Sequence, residues 1–235
     1  MHAGTRLRLV RERVQRRAAQ RGGKPLRRGW FHGFAALGAV VATIALLGTT
    51  AGDPQRLIAA LVFGLSMVTL YTASSVYHLG TWQGRRYTLL RTVDHASSFV
   101  LIAGTYTPIC MIILTGWRGR VVVALIWALA AVGLGCALLT LRLPRWATTA
   151  QYLGMGWLAL IPVPRLVQIL PTPATAAFAT GGLLYTMGAV IYALRRPNPW
   201  PRIFGFHEIF HLLVIGGSLA FLVGSWGWVV PFTPG

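Results

Sequence analysis

Seven apolar stretches, each about 17 to 24 residues long and separated by short turns, govern what this chain can become. A hydrocarbon core of about 30 Å needs roughly 20 apolar residues in a helix, so each stretch is a candidate membrane span. In a lipid core every main-chain amide must be bonded internally, which leaves helices or a closed barrel. Runs of this length select helices. The expected spans are Phe31–Ala51, Leu57–Leu79, Thr92–Leu114, Val121–Thr140, Ala147–Val163, Ala174–Leu194 and His207–Val230. The fifth is the shortest, and Pro162 and Pro164 close it.

The fold class expected is therefore an all-α membrane protein, a seven-transmembrane helix bundle. Only 11% of the residues are charged, against about 25% in soluble chains. The organisation expected is a basic interfacial segment, residues 1–29, followed by one transmembrane domain, residues 30–235.

Lys and Arg set the orientation. With these spans, eighteen of the 22 fall on one side, ten of them between Arg6 and Arg28. The other four are Arg56, Arg118, Arg120 and Arg165. The positive-inside rule puts the amino terminus in the cytoplasm and the carboxyl terminus outside. Trp30, Trp82, Trp146 and Trp200 then mark the inner interface, and Trp117, Trp226 and Trp228 the outer one. An integral membrane location is expected.

The net charge of +18 raises nucleic-acid binding. Its split between a head and short loops is a topology pattern instead, so no nucleic-acid partner is expected. The head is Arg-rich, with Leu7, Val10, Val14 and Ala18 at helical spacing. It suits a segment lying on anionic inner-leaflet lipids. Cys110 and Cys136 fall near opposite leaflets, too far apart for a disulfide. Gly216, Ala220 and Gly224 form a small-residue stripe on the last span, suited to close helix packing.

This orientation gathers the ionisable residues of the spans. His78 ends the second span, Asp94 falls in the first turn of the third, and His207 and His211 open the seventh. All lie in one inner-leaflet layer. His207 and His211, four apart, project from one helix face, and Ser74 and His78 have the same relation. Three neutral imidazoles suit zinc, and three protein ligands leave a fourth position open, the arrangement of catalytic sites. Asp94 is then the candidate general base, and Ser74 a candidate hydrogen-bond donor to a polarised carbonyl.

His95, about 100° round the helix from Asp94, is read as a supporting or interhelical residue. His32 opens the first span in the same layer, where two readings are open: lining the cavity, or the favoured interfacial role. Ser97 and Ser98 are expected to bond between helices, and Pro108 to kink the third span. The string His207-Glu208-x-x-His211 matches a metalloprotease motif in which the Glu is the general base. Here it begins a membrane helix, and Glu208 is expected to cap that helix's positive end instead.

These residues carry a family resemblance. Ser74-Ser75-Val76-Tyr77-His78, Asp94-His95-Ala96-Ser97-Ser98 running to Gly104-Thr105-Tyr106-Thr107-Pro108, and His207-Glu208-Ile209-Phe210-His211 together resemble the haemolysin III family. That family lies within the progestin and adipoQ receptor group, with the adiponectin receptors, and is related to alkaline ceramidases. The resemblance implies zinc held by His78, His207 and His211, with Ser74 and Asp94 beside the metal-bound water. It points to a possible substrate in membrane lipid: zinc-dependent hydrolysis of an amide or ester, as in ceramidases. The rival readings are a non-enzymatic sensor or regulator of membrane state with structural zinc, and a pore-forming cytolysin. A pore predicts a polar stripe along the depth of some helix, which the fourth span lacks. Sequence assigns neither substrate nor oligomeric state.

Overall fold

The computed structural model describes residues 29–50, 52–139, 144–200 and 204–233. The basic head, residues 1–28, lies outside these, as do Arg142 and Arg202. The helices are α1 (Trp30–Gly48), α2 (Pro54–Leu79), α3 (Gly84–Pro108), α4 (Trp117–Leu138), α5 (Arg145–Trp157), α6 (Val163–Ile169), α7 (Thr172–Leu194) and α8 (Phe206–Gly224). Six are long and apolar enough to cross a membrane. The seventh span is the broken pair α5 and α6, bent by 44°. The chain is an integral membrane protein with the seven-helix architecture.

Local chemistry sets the helix ends. Asp53 caps α2: its Oδ1 accepts the N–H groups of Gln55 at 2.9 Å and Arg56 at 3.1 Å, and Pro54 takes the first helical position. Arg195, left-handed at φ 56°, closes α7, its N–H bonded to the Ile191 carbonyl at 2.9 Å. Pro162 starts α6 after a 3₁₀ turn, Leu158–Leu160, and Pro164 follows. Two prolines lack the amides a continuous helix needs, so the fifth span bends there.

Two boundaries differ from the sequence expectation. The third span begins at Gly84, not Thr92, so Arg85, Arg86 and Arg91 are helical and Asp94 lies in the third turn rather than the first. Arg and Leu are good helix formers, and the exposed arginines can extend a helix past the hydrocarbon edge. At the other end of the same span, regular α-helix stops at Pro108 and a π-helical turn, Ile109–Ile113, carries it on. A proline without an N–H is a common cause of such a change.

Neighbouring contacts run α1–α2–α3, then α3–α5, α5–α7, α7–α8 and back from α8 to α1, with α4 packed on α3. Phe63, Leu46, Leu101, Val214 and Val230 fill the centre of the bundle, and Phe99, Tyr106 and Ile126 fill the seam between α3 and α4. α7 and α8 approach most closely at Gly181 and Gly217. A Cβ on either would stand 3.2 Å from the other's carbonyl oxygen. The expected stripe also contributes, since a Cβ on Gly224 would meet the Phe178 ring at 2.8 Å. The tightest point is nevertheless Gly217, one residue beyond Gly216. Cys110 and Cys136 are both free.

Candidate metal centre

Among the described residues the buried His, Asp and Glu side chains are His32, His78, Asp94, Glu208 and His211. They occupy the start of α1, the end of α2, the third turn of α3 and the start of α8, which is one end of the bundle. Several buried hydroxyls at other depths turn back on their own helices. Thr43 donates to the Ala39 carbonyl, Ser66 to Phe63, and Thr105 to Ile102. That internal bonding satisfies them without water.

The start of α8 is built to hold two imidazoles at fixed depth. Glu208 is fully buried, and its Oε2 accepts the Gly205 N–H at 2.8 Å. Asn198 Oδ1 accepts the Phe206 N–H at 3.0 Å. Two amides that the helix leaves unbonded are thereby satisfied within the protein. Glu208 therefore caps the helix end, as expected. Asn198 was not singled out in the sequence, because its partner is set by the loop between α7 and α8.

From that helix His207 and His211 meet His78 of α2. One nitrogen from each of His78, His207 and His211 lies within 4.8 Å of the others. Nε2 of His78 and Nε2 of His207 are 3.1 Å apart. Two nitrogens on one tetrahedral zinc, at about 2.0–2.1 Å from it, stand roughly 3.3 Å apart. The spacing fits a metal that takes neutral imidazole. His78 and His211 are buried and His207 half-buried.

Asp94 Oδ2 lies 3.8 Å from His78 Nε2, roughly 0.5 Å beyond the spacing of two atoms on the same tetrahedral ion. That position suits a carboxylate that bonds a fourth, non-protein ligand rather than the ion itself. Ser74 is buried one turn before His78 in α2. His95 stays outside the trio: its Nδ1 is 3.7 Å from Asp94 Oδ2, and its carbonyl accepts the Tyr152 hydroxyl of α5 at 2.9 Å. Ser97 donates to the Asp94 carbonyl at 2.7 Å, within α3 and not between helices as expected.

His32 departs most from its sequence reading. It is not interfacial: it is 2% exposed, and its ring stacks on His211, centroids 3.8 Å apart and planes at 18°. The usable signal was its place in the histidine layer. The stack itself depends on α8 returning to α1, which no local pattern reveals.

A bundle of this architecture with a three-histidine cluster at one end defines a class of seven-helix membrane proteins. The Haemolysin-III related family matches residues 22–222, and the chain belongs to that family. It is 33% identical over 189 residues to Hemolysin-3 of Bacillus cereus, covering 80% of this chain and 83% of that one. The Hemolysin-3 homolog of Bacillus subtilis (strain 168) is also 33% identical, over 191 residues, covering 80% and 86%. Further off, the Monocyte to macrophage differentiation factor of Homo sapiens is 26% identical over 202 residues, 83% of this chain and 80% of that one.

Proposed function

We propose that this haemolysin III-type protein is a zinc-dependent membrane hydrolase acting on an amide or ester bond of a lipid. The observation that carries the reading is the trio of imidazoles with the Asp94 carboxylate at its edge, 3.8 Å from His78. His78, His207 and His211 hold the ion. When bound, zinc supplies a Lewis acid and lowers the pKa of a coordinated water towards 7.

The chain's own residues do the rest. Asp94 accepts a proton from the attacking water and returns it to the leaving group, the two halves of general acid–base work. Ser74 donates a hydrogen bond to the carbonyl oxygen as charge develops there. Burial within apolar helices limits bulk water and suits a substrate that arrives from the bilayer. In this reading the site faces the cytoplasm and the protein sits in a bacterial inner membrane, with the basic head on anionic lipid.

The burial of His78, Asp94 and His211 also favours a second reading, a regulator whose zinc is structural. One experiment separates them. Purified zinc-loaded protein is incubated with ceramide and with diacyl phospholipid in mixed micelles, and free fatty acid is measured. Release by wild type and its loss in Asp94→Asn supports hydrolysis. No release of any acyl chain at full zinc occupancy rejects it and leaves the structural reading.

A further inference from the structure

A ligating histidine on a helix is placed by its backbone but not aimed by it. The terminal torsion of the side chain is broad, so the ring plane must be fixed by what it touches. For His211 that neighbour is His32. The two rings lie face to face at 3.8 Å and 18°, and the Tyr71 ring of α2 closes on His32 at 5.1 Å and 57°. His32 is almost wholly shielded, so it has no other position to take. It also presents its face to His211, and it lies outside the group of nitrogens that converge within 4.8 Å.

The same turn of α1 also touches His78. Gly29, at φ 95°, sits so close that a Cβ there would stand 2.9 Å from the Cβ of His78 and 3.1 Å from Leu79. Its carbonyl accepts the Gly33 N–H at 3.0 Å, which fixes the turn. A Cβ on Gly33 would in turn meet Ser75 Oγ at 3.0 Å, so α1 and α2 are in close contact beside the site. Helix α1 supplies none of the three ligands, yet it abuts two of them.

We propose that the first turn of α1 seats the metal centre, with His32 as the positioning residue for His211 and Gly29 the close backing of His78. The proposal rests on the zinc reading above. Loss of a hydrogen-bonded partner of a ligand typically weakens a metal site about 10- to 100-fold, and a loss of the same order is expected for this stacked one.

Zinc affinity is measured by chelator competition on purified wild type, His32→Leu and His32→Phe, and the visible spectrum is recorded with cobalt in place of zinc. His32→Leu, which keeps an apolar filling but no ring, is expected to bind zinc roughly 10- to 100-fold more weakly and to shift the cobalt bands. His32→Phe restores a ring face and is expected to return affinity and spectrum close to wild type. A Leu variant with wild-type affinity and spectrum overturns the proposal, and so does a Phe variant as weak as Leu. If the Leu variant does not fold, Gly29→Ala is measured in the same way. It is expected to weaken zinc through His78, and unchanged affinity there overturns the proposal. Wild type that binds no zinc or cobalt removes the metal reading itself and this proposal with it, whereas a zinc-binding wild type with unaffected variants removes only the proposal.

Discussion

The Nε2 atoms of His78 and His207, 129 residues apart in the chain, lie 3.1 Å apart in the fold. Two imidazoles at this distance either share a proton or share a metal. With His211 beside them the second arrangement uses all three rings, and α2, α1 and α8 are packed so as to bring them together. Several consequences can be measured.

Asp94→Asn separates chemistry from metal retention. The carboxylate lies outside zinc-ligand spacing of His78, so the variant is expected to keep its zinc. An amide cannot accept the proton, so lipid hydrolysis is expected to fall by about 10²- to 10⁴-fold. Zinc content and fatty-acid release on the same preparation check both halves.

Glu208→Gln is expected to be nearly silent in stability and metal content. The amide oxygen can still accept the Gly205 N–H. Glu208→Ala leaves that buried amide without its partner and is expected to cost about 1–2 kcal/mol. Thermal unfolding and fatty-acid release of the two variants together distinguish the capping role, in which Gln is close to wild type in both, from a base role, in which Gln would abolish activity.

Gly217→Leu is expected to destabilise the bundle by about 1–3 kcal/mol or more, because overpacking must separate two helices already at backbone contact. Since α8 carries His207 and His211, weaker zinc binding is expected to accompany the loss of stability. Gly182→Leu, where a Cβ meets nothing within 4 Å, is expected to be tolerated. The pair of melting curves tests the assignment of the contact.

At the opposite end of the bundle, Arg56 clasps the chain after α8. Its guanidinium donates to the carbonyls of Val230 and Phe232, each at 2.7 Å, and its Nε is 2.8 Å from Asp53 Oδ2. Arg56→Lys keeps the charge but loses the fork, so a lower melting temperature is expected. The Arg56 main-chain N–H, then that of Gln55 and the guanidinium, hold the Asp53 carboxyl below the usual range. A lowered folded value means the contribution is complete above the unfolded value, about 4, and is lost as pH falls through the folded one. The difference in melting temperature between wild type and Asp53→Asn is therefore expected to be constant down to about pH 5 and to shrink below about pH 4.

The spans were legible because each apolar run exceeds the length a membrane demands. Where helices cross the hydrocarbon edge, composition stops being a guide: Arg85, Arg86 and Arg91 read as a loop and are helix. Proline marked the break after Leu160 and the change at Pro108, without fixing the bend or the π-helical turn that follow. The histidine trio was legible because loop charges put His78, His207 and His211 at one level, and four-residue spacing put two of them on one face. His32, Asn198 and Gly217 were misplaced or missed for one reason. Their roles depend on which helix comes to lie opposite, and that is decided by packing across the whole bundle.

The zinc K-edge X-ray absorption spectrum of the purified protein tests the central claim most directly. The account predicts one zinc per chain with three imidazole nitrogens and one oxygen at about 2.0–2.1 Å, and loss of that signal in His211→Ala. A protein that carries no zinc after purification in its presence, or a spectrum unchanged in His211→Ala, would contradict it.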